Sequence, residues 1–185
     1  MGKIHRFLEK GAVHFVTTNT INRVKIFNDE VSARFLLLCI GYHKFMLNFY
    51  LLGYVIMPDH LHMLLQILSE KYNLSVIMKQ IKGNFARKYN EWYQKNQPTG
   101  SRRLNADYLK WDYRGFSYKP VWQESFYDTA LRDPKQVREK IEYMHWNPVK
   151  AGIVDHPKDY EFSSYHQYYG EKRLWIQIPI EKFII

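Results

Sequence analysis

The chain has 185 residues, and 27 Lys or Arg against 18 Asp or Glu give a formal net charge of +9 with neutral histidines. A hydrophobic fraction of 46% excludes wholesale disorder, and a single cysteine excludes a disulfide-stabilised scaffold and is typical of a reducing compartment. No stretch approaches the roughly 18 apolar residues of a membrane span, and the first residues lack a secretion signal, so we expect a single-domain cytoplasmic protein.

The first half of the chain predicts a strand, a helix, a hairpin and a second helix. Residues 11–19 are β-branched and aromatic, which predicts a strand. Residues 28–48 predict a helix capped by Asn28 or Asp29, with apolar positions at Val31, Phe35, Leu38, Tyr42, Phe45 and Met46. Residues 50–57 and 60–68 are apolar runs joined by the turn signal Pro58-Asp59, which predicts a hairpin. Residues 73–95 are amphipathic and predict a helix capped by Asn73.

The second half is less regular. Residues 96–120 carry Pro, Gly and five aromatic residues without a sustained period, so we expect an inserted loop. Residues 121–128 predict a short strand or turn, and Asp133-Pro134 is an N-cap followed by proline at the first position of a helix. That helix is expected to end near Asn147-Pro148, because proline disfavours helical geometry in the residue before it. Residues 167–185 are expected to form an edge strand or a docked arm.

This order of elements predicts an α+β domain. It fits a ferredoxin-like, or RRM-like, sandwich, in which helices cover one face of an antiparallel sheet, followed by a C-terminal helix. We find no internal repeat and no linker, so residues 1–185 are interpreted as one domain.

The triplet His60-Leu61-His62 follows the predicted hairpin turn. Residues i and i+2 of a strand point to the same face, so the two imidazoles converge while Leu61 faces the other side. Such a pair can hold a divalent metal, but two ligands do not make a site, and two ordinary hydrogen-bonded histidines remain the alternative.

The helix that begins at Pro134 offers further candidates. Val137, Ile141 and Met144 form its apolar stripe. A second, polar stripe contains Gln136, Lys140, Tyr143 and Asn147. If this stripe faces the histidines, Asn147 can donate a carbonyl oxygen to a metal and Tyr143 can present its hydroxyl as a nucleophile. The alternative is that Tyr143 is one of 15 structural tyrosines.

Composition favours a nucleic-acid partner, because cationic side chains neutralise phosphates and the 17% of aromatic residues offer stacking faces for unpaired bases. Candidate phosphate contacts are Lys79, Lys82, Arg87, Arg102, Arg103 and Lys150. Each of them is equally consistent with a solvated surface charge.

Three separated motifs carry a family resemblance. They are Met57-Pro58-Asp59-His60-Leu61-His62, then Trp122-Gln123 with Phe126 and Asp128, then Tyr143-x-x-x-Asn147-Pro148-Val149-Lys150-Ala151-Gly152, with Phe162-Ser163-Ser164-Tyr165 after them. In this order they resemble the HUH single-tyrosine transposases, and among these the REP-associated branch related to transposases of small insertion sequences. The resemblance spans about residues 10–166.

The resemblance implies a function and a set of roles. His60 and His62 match the two metal-binding histidines, Asn147 the third metal ligand and Tyr143 the nucleophile. It implies a transposase that depends on Mg²⁺ or Mn²⁺ and cleaves and transfers single-stranded or hairpin DNA through a 5′-phosphotyrosine. It also implies a cytoplasmic location at a prokaryotic nucleoid. A homodimer and a monomer both stay open.

Two other functions compete with this interpretation. A ferredoxin-like sheet with exposed aromatic residues can bind single-stranded RNA or DNA without a metal. A metal-dependent phosphoesterase that uses water as its nucleophile is the second alternative. Asp59 is expected to serve the turn rather than a histidine, Trp122 to lie in the core rather than against a base, and His145 to lie on a different helix face from Tyr143.

Overall fold

A four-stranded antiparallel sheet organises the part of the chain that the computed structural model describes, residues 11–95, 120–170 and 178–183. Its strands are β1 Val13–Asn19, β2 Phe49–Met57, β3 His60–Ile67 and β4 Tyr127–Leu131, in the order β2-β3-β1-β4. Of the two central strands, β3 pairs with β2 across the hairpin turn and with β1 on its other side, and β1 also pairs with β4. Nearly all of the predicted insertion, including Arg102 and Arg103, lies outside the described residues.

The helices begin where the sequence supplies caps. They are α1 Glu30–Leu47, α2 Leu74–Lys95, α3 Pro134–His145, α4 Asn147–Lys150 and α5 Tyr165–Tyr169. The side chain of Asp29 accepts hydrogen bonds from the first turn of α1, and Asp133 accepts one from the Gln136 N–H at the start of α3. Short 3₁₀ turns lie at Ile21–Arg23, Ile26–Asn28 and Pro157–Asp159.

The prediction of a ferredoxin-like α+β sandwich is confirmed. The β-α-β-β-α-β order and the all-antiparallel sheet are those of the split β-α-β motif. α1 and α2 pack on one face of the sheet, where they bury residues such as Leu36 and Phe85 against Leu61. α3 packs on the opposite face, where Ile141 and Met144 contact a smaller apolar cluster.

Helix α1 is present as predicted, and most of the apolar residues that mark its period lie away from the sheet. Of the apolar residues that mark its period, Phe35 packs on the core beside Phe85, whereas the other five are at least half exposed, and Leu36 and Ile40 are fully buried. The exposed face of α1 consists of Val31, Leu38, Tyr42, Phe45 and Met46. α1 is apolar on both sides, so periodicity identifies the helix correctly but not the side that faces the sheet.

Strand β4 begins later than predicted. Residues 121–126 instead anchor a loop on the core, with Val121, Trp122 and Phe126 buried, and the Trp122 ring packs against Phe27 and Phe85. The prediction that Trp122 belongs to the core is confirmed. Pairing with β1 starts only at Tyr127, opposite Thr17.

The outer edge of β2 is covered by segments from the end of the chain. The Ile56 N–H donates to the Phe162 carbonyl, and Tyr54 and Ser164 are joined through their backbones in the same way. Further along the edge, the Glu181 N–H donates to the Leu51 carbonyl at 3.0 Å. The described part of the predicted C-terminal arm thus docks on the sheet. Within the described part of the chain, no helix has the length and apolar character needed to span a bilayer.

Candidate metal and nucleophile site

His60 and His62 lie at the start of β3 with their side chains on the α3 face of the sheet. Leu61 between them is buried in the opposite core, as the alternation of a strand requires. The two imidazoles converge, with their Nε2 atoms 3.1 Å apart and their rings nearly perpendicular. The predicted convergence is therefore present.

The His60 ring is oriented by a chain of polar groups. Its Nδ1 atom is hydrogen-bonded to the Asp59 carboxylate, and Arg23 contacts the same carboxylate at 3.0 Å. Burial alone would raise the pKa of Asp59, but the hydrogen bond and charge of His60 and the charge of Arg23 hold that pKa below its ordinary value. A carboxylate only accepts hydrogen bonds, so His60 Nδ1 donates the bond to Asp59. Asp59 therefore contacts the histidine as well as serving the turn, contrary to our expectation.

The His62 ring is oriented by the neighbouring strand. Thr17 lies opposite His62 in the β1–β3 register, and its hydroxyl is 2.8 Å from His62 Nδ1. Burial and then the charges of His60 and Arg23 lower the pKa of His62 to about 3. His62 is thus neutral at ordinary pH, which is the protonation state that a metal ligand needs.

The pair fits a divalent cation. The two Nε2 atoms face each other at 3.1 Å, a spacing that a hydrogen bond between the rings explains and that two nitrogen donors to one cation also allow. Among the described residues, no third His, Cys, Asp or Glu completes a metal-binding group. Within the described part of the chain, a third protein donor would be of another residue type, such as an amide oxygen.

Helix α3 brings Tyr143 to the same place. The Tyr143 ring lies 6.1 Å from the His62 ring and 6.0 Å from Phe15, both edge to face, and 42% of its surface is exposed. The apolar stripe Val137, Ile141 and Met144 is buried against the sheet, as predicted. Tyr143 therefore combines a fixed helix with an accessible hydroxyl.

The position of α3 depends on close contacts with β2. A Cβ atom on Gly53 would lie 2.6 Å from Met144 Cε, so a larger residue there would force the end of the Met144 side chain to move. Leu52 is an extra residue in the β2–β3 register and forms a bulge beside Gly53. His145, also in α3, is buried and lies 2.9 Å from the Ser164 hydroxyl, which in turn bonds the backbone of Tyr54. This places His145 in the packing of the helix and away from Tyr143, as expected.

Asn147 lies one helical turn beyond Tyr143, at the start of α4. α3 ends at His145, and Pro148 occupies the first turn of α4, where proline is tolerated. The Asn147 side-chain amide donates to the Tyr143 carbonyl at 3.0 Å. This bond uses the nitrogen and leaves the amide oxygen available as a donor atom for a metal. The structure records no contact between Asn147 and the histidines, so its role as third ligand stays a prediction.

The candidate phosphate contacts divide between two regions. Lys150 lies at Tyr143, with its Nζ atom 4.8 Å from the ring centroid. Lys79 and Arg87 are exposed on α2, which covers the other face of the sheet. Lys82 is engaged within the protein, because its ammonium donates to the carbonyls of residues 123–125 at 2.8–3.3 Å. The DNA contacts proposed for these residues stay predictions.

Several residues at the site carry no sequence signal of their own. Thr17 and Tyr127 are on the same sheet face as His62, because the three occupy one row across β3, β1 and β4. Tyr127 is 70% exposed. Lys140, which the polar stripe of α3 did contain, places its Nζ atom 5.2 Å from both the Phe15 and Tyr143 rings. Helix periodicity could predict only the position of Lys140, because the positions of Thr17 and Tyr127 depend on strand register.

Comparisons with known proteins agree with the resemblance. A model of the IS200-like transposase family matches residues 8–144. A Haemophilus influenzae protein named for the REP-associated tyrosine transposases is 27% identical over 171 residues, covering 90% of this chain and 87% of that protein. The REP-associated tyrosine transposase of Escherichia coli K12 is 23% identical over 169 residues, covering 90% and 84%.

A solved structure extends the likeness to three dimensions. The structure of a REP-associated tyrosine transposase bound to a REP hairpin matches with a TM-score of 0.71 and 22% identity and covers 100% of both chains. At this identity the match establishes the fold of the described chain.

Proposed function

This chain belongs to the IS200-like transposase family, and from that membership and the site geometry we propose that it nicks and rejoins DNA through Tyr143. The observation that carries the proposal is the meeting of three groups that the sequence separates widely. The Tyr143 ring lies 6.1 Å from His62, whose Nε2 atom is 3.1 Å from that of His60. A non-catalytic DNA-binding protein would need no such arrangement.

Each reacting group has a defined part in the proposed cleavage. The Tyr143 hydroxyl oxygen attacks the scissile phosphorus in line with the leaving oxygen and gives its proton to solvent. A P–O(Tyr) bond forms, the P–O3′ bond breaks, and the departing 3′ oxygen takes up a proton. The product is a 5′-phosphotyrosine, so the bond energy is conserved. Attack by a second 3′-hydroxyl reverses the step and joins two strands without ATP.

A divalent cation completes the proposed site. Members of this family generally depend on a metal. We propose that His60, His62 and the Asn147 amide oxygen hold Mg²⁺ or Mn²⁺, which when bound supplies Lewis-acid neutralisation of charge on the phosphoryl oxygens. The fit rests on the two fixed imidazole nitrogens and on the neutral state of His62.

Cationic and aromatic groups around Tyr143 support a DNA substrate. Lys140 and Lys150 place ammonium groups within about 5 Å of the Tyr143 ring, where they can neutralise the phosphates beside the scissile bond. Tyr127, exposed on the same sheet face, offers a stacking surface for an unpaired base. The related transposase of known structure is bound to a REP hairpin, and we propose single-stranded or hairpin DNA as the substrate here. Such a substrate places the protein in the cytoplasm, at a nucleoid.

Covalent capture on a denaturing gel tests the proposal. Wild-type protein incubated with Mn²⁺ and a single-stranded or hairpin oligonucleotide is expected to form a protein–DNA adduct. Tyr143→Phe removes the attacking oxygen and should lower adduct formation at least about 1,000-fold. Tyr50→Phe is the matched control, because Tyr50 is also 42% exposed but lies at the far edge of the sheet.

The competing functions give different results in the same assay. Cleavage without an adduct, unaffected by Tyr143→Phe, would indicate a phosphoesterase that uses water. Binding without cleavage, unchanged when both histidines are replaced by alanine, would indicate a non-catalytic nucleic-acid-binding protein.

A further inference from the structure

Trp146 is a large aromatic residue that the proposed cleavage does not use. It lies three residues after Tyr143 and directly before Asn147. Of the tryptophans that the structure describes, Trp122 is 7% exposed and Trp92 packs on the core, whereas Trp146 is 44% exposed. Tryptophan has a large apolar surface that proteins usually bury, so an exposed indole beside a candidate active site indicates a surface that binds a ligand.

The position of Trp146 is fixed by its backbone and by one neighbouring ring. Its N–H donates to the Glu142 carbonyl, and its own carbonyl accepts from the Lys150 N–H, so it joins α3 to α4. Its ring lies 6.0 Å from that of His156 at an angle of 57°. His156 is held in turn by the Lys158 N–H, which donates to its Nδ1 atom at 3.1 Å. The contact with His156 is not a parallel stack, so an indole face stays available.

Helix geometry places Trp146 and Asn147 on opposite sides of Tyr143. Trp146 keeps right-handed helical backbone angles, so the spacing of α3 extends to Asn147. Successive residues of an α-helix are about 100° apart around its axis, so Asn147 and Lys140 are displaced from Tyr143 by about 40–60° in one direction and Trp146 by about 60° in the other. Residues three apart have Cβ atoms about 5–6 Å from each other. Trp146 is therefore close enough to contact a base next to a phosphate that lies at Tyr143.

The charges beside Trp146 favour a phosphate on its Tyr143 side. The ammonium groups of Lys140 and Lys150 lie 5.2 and 4.8 Å from the Tyr143 ring centroid, and neither forms an ion pair within the described part of the chain. Glu142 lies about 40° beyond Trp146 in the direction away from Tyr143, so the attraction for phosphates is one-sided. An open aromatic face beside available cations is the arrangement that binds single-stranded nucleic acid.

We propose that Trp146 stacks on the unpaired base of a nucleotide next to the scissile phosphate. The inference rests on the proposed function, because it takes Tyr143 as the group that attacks that phosphate. A base inside a duplex already stacks on its neighbours, whereas an unpaired base has a free face for the indole. Trp146 thereby holds the base while Lys150 neutralises the adjoining phosphate, and together they favour an unpaired nucleotide at the cleavage position.

The fluorescence of 2-aminopurine in a bound oligonucleotide tests the stack without any cleavage. Protein with Tyr143→Phe is mixed with a single-stranded oligothymidylate that carries one central 2-aminopurine, whose fluorescence falls when the base stacks on a ring. Adding Trp146→Leu, which keeps apolar bulk against His156, should remove at least about half of this quenching and raise Kd about 5-fold or more. Trp146→Phe should keep most of both. Tyr50→Ala, at a ring that is 42% exposed on the far edge of the sheet, is the matched control.

Salt dependence and thermal melting separate stacking from other effects of the substitution. Trp146→Leu removes no phosphate contact, so the slope of log Kd against log salt should stay unchanged, whereas Lys150→Ala should reduce it. Circular-dichroism melts should show each variant folded at the temperature of the binding assay. Unchanged quenching and affinity in Trp146→Leu, or an equal loss in Trp146→Phe, overturns the proposal.

An abasic residue in the DNA locates the base that Trp146 contacts. Once covalent capture has mapped the scissile phosphate, an abasic residue on one side of it should slow adduct formation by the wild-type protein and have little further effect on Trp146→Leu. Additive losses at both flanking nucleotides would overturn the assignment to this position. A wild-type protein that forms no adduct would refute the proposed function, and the binding assay would still decide whether Trp146 stacks on a base.

Discussion

The two faces of the sheet are built for different purposes. The face under α1 and α2 buries a continuous apolar cluster that includes Leu36 and Phe85, both fully buried. The face under α3 holds a smaller cluster and ends in polar groups, with Thr17 and His62 at its border and Tyr143 half-exposed above them. The face under α1 and α2 contains most of the apolar core, and the face under α3 leaves convergent imidazole nitrogens and a partly exposed tyrosine at its border.

The largest expected effect falls on the α3 face. Replacing His60 and His62 together by alanine removes both imidazole donors, so DNA cleavage should fall more than about 1,000-fold. Calorimetric titration with Mn²⁺ should show the binding heat of the wild-type protein and none for the variant. Chelation of the wild-type protein should have the same effect on cleavage and be reversed by Mn²⁺. Full cleavage by the double variant would refute the metal site.

The complementary change on the other face is Leu36→Ala. Leu36 is fully buried in the core between α1 and the sheet, so its truncation should lower the free energy of unfolding by about 2–5 kcal/mol. Urea denaturation measures this loss. At a temperature where the variant remains folded, its cleavage rate per folded molecule should equal that of the wild-type protein. A large fall in that rate would show that the two faces are coupled.

Asp59→Asn tests the support of the metal pair. The amide cannot accept as strongly from His60 Nδ1 and loses the ion pair with Arg23, so metal affinity should fall about 10–100-fold. The metal concentration that gives half-maximal cleavage measures this change, and excess Mn²⁺ should restore most of the rate. Asp155→Asn, at an exposed position, is the control and should behave as wild type.

Gly53→Ala tests the link between β2 and the nucleophile helix. The added Cβ meets Met144 Cε at 2.6 Å, so α3 must shift or Met144 must change rotamer, at a cost of about 1–3 kcal/mol in unfolding free energy. Cleavage should slow because Tyr143 follows α3. Adding Met144→Ala to Gly53→Ala should recover part of both losses, and a double-mutant cycle measures the recovery. Additive losses would mean that the contact does not position the helix.

The smallest effect concerns pH and the face under α1. His43 is buried in α1, and burial lowers its pKa below the ordinary histidine value of about 6.5. The unfolded chain therefore binds a proton that the folded chain resists, and the stability present above pH 6.5 is lost as pH falls below it. His43→Leu should flatten this acid-side loss, measured by urea denaturation at pH 7.5 and 5. An unchanged profile would assign the loss to other groups.

Sequence reasoning succeeded where a local pattern and a local structure coincide. Asp29 and Asp133 begin helices, and Pro58-Asp59 turns between β2 and β3, because caps and turns depend on neighbouring residues. The alternation of His60 and His62 on one face follows from strand geometry alone. The family and the fold were also predicted correctly.

The rest depended on contacts between distant parts of the chain. Thr17 reaches His62 only through the register of β1 and β3, and Arg23 reaches Asp59 from a 3₁₀ turn in which Asn22 and Arg23 both have positive φ. Neither Thr17 nor Arg23 belongs to a sequence pattern that predicts its contact with the site. The face of α1 was ambiguous for a different reason: a helix with apolar residues on both sides satisfies the same period in two orientations.

The topology of the sheet also sets an order of events during translation. Tyr143 follows His62 by 81 residues, and synthesis at about 5–20 residues per second separates their appearance by roughly 4–16 seconds. In the same way, β1 is synthesised long before β4, the strand with which it pairs through Thr17 and Tyr127. The nascent chain therefore contains His60 and His62 well before it contains Tyr143, and the proposed site can form only after Asn147 has also been synthesised.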